Sequence, residues 1–421
     1  MRVFVLFLSL FSLLLTTACG TRARCRPDTC TGCCTTDDQC AAGTSNAQCG
    51  SGGNFCDVCA VGAQVCGAGG RCQTSTVMTT MDAGTQMDAG VTMMDGGTLG
   101  TAITAPNEVW TWVDFPGSEC GNGSPTGIGV NLSNRSSDVI VFMQGGGACW
   151  NQLTCYTVRS ASDFDGYSGT KFANDSIKSQ VAFNRTNMNN PFRNASFVFI
   201  PYCTGDVHSG DTVASYGGHH KGASNVRAFL ARLAPTFPGP RRIWLTGTSA
   251  GGFGVQLNYH RFADAFPQAE VHGLSDSAQM INPTQASLLA EWLDAWGVSD
   301  PPGCTGCTQN FNLVPSWLAR TYPNRRFGLL AYSRDSVLAP FFSLAQPDFE
   351  AATTKLLTEQ YQGKSNLKAY VVDPATPTHV MLNQLFTRTV VPAGTDAGVS
   401  LSSWAQQWAN GEAGWENVRG Q

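Results

Sequence analysis

The chain has 421 residues, 42% of them apolar, with 26 Lys and Arg against 30 Asp and Glu and a formal net charge of -4. That supports a sizeable core, and neither the charge balance nor any basic run suits a nucleic-acid binder. Charged residues make up only 13% of the chain, and its 17 cysteines point to an oxidising compartment.

Arg2 precedes a run over 3–15 that is apolar but for Ser9 and Ser12. This is the size of a signal-peptide core and too short to cross a bilayer, so 1–18 is expected to be a signal peptide. Leu15-Thr16-Thr17-Ala18-Cys19 resembles a bacterial lipobox with Thr16 where Leu is usual, although the same small residues suit an ordinary cleavage site. Cysteine parity favours a lipid on Cys19, because an even number then remains to pair. The expectation is an exported protein, secreted or held at the cell envelope, that touches a membrane only through this anchor.

Residues 19–72 form a cysteine-rich segment, with ten cysteines from Cys25 to Cys72. So short a stretch cannot bury much core and needs covalent staples. Cys30-x-x-Cys33 and Cys56-x-x-Cys59 have zinc-ribbon spacing, but cysteine density in an exported chain favours disulfides, whose connectivity the spacing does not reveal. Over 73–105 the composition turns to Thr, Met, Asp and Gly, with Met81-Asp-Ala-Gly echoed at Met87 and Met94, which reads as a flexible linker.

From 106 to 421 the sequence is that of a folded domain. Strand-like runs at Val139–Met143, Ser196–Pro201, Arg242–Leu245, Val271–Leu274, Phe327–Tyr332 and Leu367–Val372 alternate with helix-like stretches such as Ala223–Leu233, Val255–Phe266 and Ala351–Gln362. The alternation predicts an α/β domain: a mostly parallel sheet with helices on both faces.

Gly247-Thr248-Ser249-Ala250-Gly251 sits between an apolar run and a helix-like stretch, the setting of a nucleophile elbow, and makes Ser249 the candidate nucleophile. Upstream, Gln144-Gly145-Gly146-Gly147 ends a buried strand, where bare backbone can aim amides inward. The amides of Gly146, Gly147 and Ala250 are the expected oxyanion hole, against the plainer reading of a glycine turn. A serine of this kind is followed in the chain by its acid and then its histidine. Of the histidines at 208, 219, 220, 260, 272 and 379, only His379 follows a late strand. Asp335, after Phe327–Tyr332, is the preferred acid, with Asp373 and Asp276 as alternatives. His208, His219 and His220 fall in a polar loop and are expected to be solvated, and His260 and His272 to be structural. No histidine has metal-ligand spacing, so no metal or other cofactor is expected.

These residues lie in motifs that resemble those of the pectin acetylesterase and Notum family: Cys120-Gly-Asn-Gly-Ser-Pro, Gln144-Gly-Gly-Gly-Ala-Cys149-Trp-Asn, Pro201-Tyr-Cys203-Thr-Gly-Asp, Gly247-Thr-Ser249-Ala-Gly-Gly and Ser275-Asp276-Ser277. The resemblance implies an α/β-hydrolase-like fold, a triad of Ser249, Asp335 and His379, and hydrolysis of an O-acyl ester, most often acetyl on a polysaccharide such as pectin. Gln144 stands where the family has Glu, and Ala148 where it has a bulky aromatic, so the acyl pocket departs from the pattern. Cys149 with Cys155, Cys304 with Cys307, and Cys120 with Cys203 are the expected disulfides, and a monomer is the expected state. The rival readings are a catalytically silent surface protein that binds glycans in the same cleft, or a lipase or peptidase using the same triad.

Overall fold

A computed structural model describes residues 25–26, 29–35, 39–46, 48–54, 56–57, 59, 64–67, 69–74 and 99–421. The chain divides into two compact units, Met1–Asp88 and Ala89–Gln421. The signal peptide, Cys19 and the part of the linker over 75–98 lie outside the described residues.

In the first unit, disulfides join Cys25 to Cys34, Cys30 to Cys40, Cys33 to Cys56, Cys49 to Cys66 and Cys59 to Cys72. Both zinc-like Cys-x-x-Cys pairs are consumed by different partners, so neither keeps two free thiolates. The backbone forms only short ladders, such as Gln64–Gly67 against Arg71–Thr74, and buried sulfur stands in for a hydrophobic core.

The second unit begins ahead of the expected boundary at 106. Gly100 donates to the Ala231 carbonyl, the Ile103 amide donates to Thr236, and the Ile103 side chain is buried in the core, so the end of the expected linker is part of the fold. The strands are β1 Thr111–Phe115, β2 Thr126–Asn131, β3 Val139–Met143, β4 Ser196–Ile200, β5 Arg242–Thr248, β6 Glu270–Asp276, β7 Phe327–Tyr332, β8 Leu367–Val372 and β9 Val418–Gly420. They form one nine-stranded sheet in the order β9-β8-β7-β6-β5-β3-β4-β2-β1. Neighbours from β9 to β4 run parallel, while β2 runs against both β4 and β1.

The longer helices among the described residues are α1 Gly222–Thr236, α2 Ala250–Ala265, α3 Ala286–Trp296, α4 Leu313–Thr321, α5 Gln346–Leu356 and α6 Leu401–Asn410. The central strands are buried on both faces, as parallel strands under two helical layers must be. In β3, Val139, Val141 and Met143 enter one core with α1 and α2, while Ile140 and Phe142 enter a second core with Trp404 and Trp408 of α6. This is the expected α/β-hydrolase-like architecture, with antiparallel β1 and β2 added at one edge. Among the described residues no helix is long and apolar enough to cross a membrane.

Candidate active site

The topology brings the carboxyl ends of β3, β5, β6, β7 and β8 side by side, where an open parallel sheet places its ligands. Ser249 stands between β5 and α2 with φ +54°, a strained value for serine that turns its side chain out of the sharp bend. Glycines permit the bend. A Cβ at Gly251 would lie 2.0 Å from the Met143 carbonyl oxygen, and one at Gly247 2.5 Å from that of Gly251. The Ser249 amide is occupied, donating to the Asp276 carbonyl at 2.7 Å. The Ala250 amide is in the first turn of α2, where no carbonyl one turn back can accept it and the helix dipole favours negative charge.

The glycine loop after β3 approaches this bend closely. A Cβ at Gly145 would sit 2.4 Å from the Thr248 carbonyl oxygen and 3.0 Å from Ser249 Cβ; Gly147 has φ +77° and would meet the Ser160 carbonyl at 2.1 Å. Disulfide Cys149–Cys155 closes the loop beyond it, and Cys120–Cys203 and Cys304–Cys307 are also joined. His208 holds the loop from behind. Its Nε2 lies 2.8 Å from the Gln144 carbonyl, which can only accept, so Nε2 carries the proton. Burial pushes the His208 pKa down, keeping the ring neutral.

His208 and His220 are therefore not the solvated loop residues the polar sequence suggested. His220 is fully buried, with Nδ1 at 2.7 Å from the Thr204 carbonyl and Nε2 at 2.5 Å from the Tyr216 hydroxyl. Buried Asp206 receives the His208, Gly210 and Gly222 amides and so fixes the same loop. His260 and His272 are buried too, and burial pushes each down to about 3, which suits their structural reading.

Asp335 follows β7 and is fully buried. Its Oδ1 accepts from the Val337 and Leu338 amides, both at 2.8 Å, and its two oxygens lie 2.9 and 2.8 Å from His379 Nδ1. A carboxylate accepts, so Nδ1 carries the proton and leaves Nε2 with a free lone pair. That Nε2 is buried with no hydrogen-bond partner among the described residues. Asp373, the first alternative acid, is instead gripped by Arg419 at 3.0 Å.

Asp276, the second alternative, does other work. Its carboxylate accepts the Met381 and Leu382 amides at 2.8 and 2.7 Å, and the Ser277 hydroxyl bridges it to the Val380 amide. Val380 has φ +63°, so these bonds hold a strained backbone directly after His379. Burial pushes Asp276 up to about 6, against the pull of the Leu382 and Met381 amides and the nearby His379. One residue thus ties the Ser249 amide, through its carbonyl, to the His379 loop, through its carboxylate. Asp276→Asn can keep an oxygen toward the Met381 and Leu382 amides only by turning its amino group to the Ser277 hydroxyl, which then loses its acceptor, at a cost of about 1–3 kcal/mol. The expected result is a kcat at least about tenfold lower with KM little changed, alongside a lower melting temperature; steady-state kinetics with an unchanged kcat would refute this positioning role.

Two cavities open on Ser249 and Gly147. One is an apolar slot of about 550 Å³, mouth included, walled by Trp292 and Trp296 of α3, Phe311, Phe341, Phe342 and Phe253. The other is a more open polar groove of about 780 Å³, lined by Gln144, Asp175, Ser176, Gln180, Thr248 and His379, among others. A serine on a sharp bend between an apolar and a polar cavity is suited to splitting a bond between an apolar and a polar group. Ser249, Asp335, His379 and the glycine loop carried a sequence signal. The slot carried none, because its walls come from segments far apart in the chain.

The pectinacetylesterase family model matches residues 110–297. The chain is 31% identical over 179 residues to the human palmitoleoyl-protein carboxylesterase NOTUM, a stretch covering 39% of this chain and 35% of that protein. It is 32% identical over 178 residues to notum1' of Xenopus laevis, covering 39% and 36% respectively. The chain thus spans about a third of the length of these relatives. The crystal structure of the Wnt deacylase Notum from Drosophila superposes with a TM-score of 0.54 at 20% identity, over 74% of this chain and 95% of that one, and so shares the fold.

Proposed function

We propose, for a chain whose residues 110–297 belong to the pectinacetylesterase family, that it is a serine carboxylesterase removing O-acyl groups from a polyhydroxylated alcohol. The observation that carries this reading is Ser249 on its elbow where an apolar slot and a polar groove meet, with His379, held from behind by Asp335, lining the groove.

In this reading His379 Nε2 takes the Ser249 proton as Oγ attacks the ester carbonyl carbon. The Gly146, Gly147 and Ala250 amides hold the resulting oxyanion. Collapse breaks the bond to the alcohol oxygen, which receives the proton from His379 and departs through the groove. Water then attacks the acyl-serine, again giving a proton to His379, and the carboxylic acid leaves as Ser249 is reprotonated. Asp335 holds the Nδ1–H tautomer and faces the imidazolium in both steps.

The acyl group belongs in the apolar slot. The relatives named palmitoleoyl-protein carboxylesterases support an acyl chain longer than acetyl. The eight disulfides among the described residues suit an exported protein, and export with a lipid on Cys19 is part of the same reading.

A series of 4-nitrophenyl esters tests it. Each added methylene buried in the slot contributes up to about 0.8 kcal/mol, so kcat/KM is expected to rise up to about fourfold per carbon from acetate until the slot is full. A steady decline from acetate onward would remove the acyl role given to the slot.

A further inference from the structure

We propose that the polar groove admits an uncharged sugar unit as the alcohol and turns away uronate sugars, an inference that rests on the esterase reading above. Its lining offers hydroxyl and amide groups from Gln144, Ser176, Gln180 and Thr248, which pair with neutral sugar hydroxyls. Among the described residues that line it there is no Lys or Arg, and its one carboxylate is Asp175.

Asp175 cannot swing away or be neutralised by its own partners. Oδ2 accepts from the Tyr167 hydroxyl at 2.7 Å and Oδ1 from the Ile177 amide at 2.9 Å, both uncharged donors. The lysines on the same segment are engaged elsewhere. Lys178 reaches the Ala173 carbonyl at 2.6 Å and lies over the Phe172 ring, and Lys171 pairs with Asp163.

The other charges at this end of the sheet do not reverse the sign. Asp335 is buried behind His379, and the positive end of α2 is directed at the oxyanion. A uronate carries a carboxylate on every sugar ring, and recognition of carboxylates ordinarily uses Arg or Lys. Here it would meet a like charge held in place on the groove wall, with no cation in the lining to offset the repulsion.

The test uses one sugar with and without its charge: 3-O-butyryl methyl galactopyranosiduronate as the free acid and as its methyl ester. The methyl ester is expected to have a kcat/KM at least about tenfold higher at low salt, and the gap should shrink in 0.5 M NaCl and in Asp175→Asn. Equal rates, or preference for the free acid, would overturn the inference. So would failure to hydrolyse either sugar ester by protein that still turns over 4-nitrophenyl butyrate, because the groove would then not be a sugar site. A gap that ignores both salt and Asp175→Asn would overturn its electrostatic origin. Loss of turnover on every ester, with no labelling by a fluorophosphonate, is a different result and refutes the esterase reading itself.

Discussion

Ser249→Ala is expected to lower kcat on 4-nitrophenyl butyrate by about 10⁴- to 10⁶-fold while leaving KM nearly unchanged, and to abolish labelling by a fluorophosphonate. The magnitude follows from the reaction: without Oγ no acyl-enzyme forms, and the oxyanion amides have only unassisted attack by water to accelerate. The substitution is also gentle on the fold. Alanine keeps the backbone amide that donates to Asp276, and it carries the φ of +54° no worse than serine does. Retained melting temperature together with lost turnover would therefore report on chemistry. Unchanged hydrolysis by purified Ser249→Ala would end the serine-esterase reading and favour a glycan-binding role for the cleft.

Asp335→Asn is expected to cost about 10⁴-fold in kcat, and the structure gives the reason. Oδ1 accepts two backbone amides from Val337 and Leu338, so an asparagine keeps its oxygen on that side and turns its amino group toward His379. Facing a donor, Nδ1 must become the acceptor, and the ring proton moves to Nε2, the atom that has to take the serine proton. The wrong tautomer is thereby locked in with little change in shape. Asp373→Asn, which disturbs only the pair with Arg419, should keep its kcat. Activity of Asp335→Asn within tenfold of the parent, measured beside Asp373→Asn, would show that the acid lies elsewhere.

The most local features were the most legible in the sequence. The elbow around Ser249 and the glycine run after β3 announce themselves because a sharp bend and a close backbone approach demand glycine at fixed offsets, and the clashes at Gly145, Gly247 and Gly251 give the distances behind that demand. The pairing of His379 with Asp335 across 44 positions was legible only because a late strand leads into each residue. Other features had no local signature. β2 reads Thr-Gly-Ile-Gly-Val-Asn, which propensity places in a loop, yet a Cβ at Gly127 would lie 2.1 Å from the Val113 carbonyl, so tight packing of β1 on β2 chose the glycines. His208 and His220 sit in a run of polar residues, and their burial depends on partners at Gln144 and Thr204 that only the fold supplies. The role of Asp276 was missed for a related reason: its carboxylate serves backbone amides more than a hundred positions away.

The walls of the apolar slot combine rings from several segments: α3 contributes Trp292 and Trp296, the turn before α4 contributes Phe311, α2 contributes Phe253, and the stretch after Asp335 contributes Phe341 and Phe342, while Ser249, His379 and the glycine loop hang from the sheet itself. Trp292 stacks on Trp296 and meets Trp150 and Phe342 edge-on, so part of the slot's wall is set by two rings on a helix that carries neither Ser249, Asp335 nor His379. Such a division lets selection rework the slot by trading the aromatic volume at 292 and 296, generation after generation, without moving Ser249, Asp335 or His379.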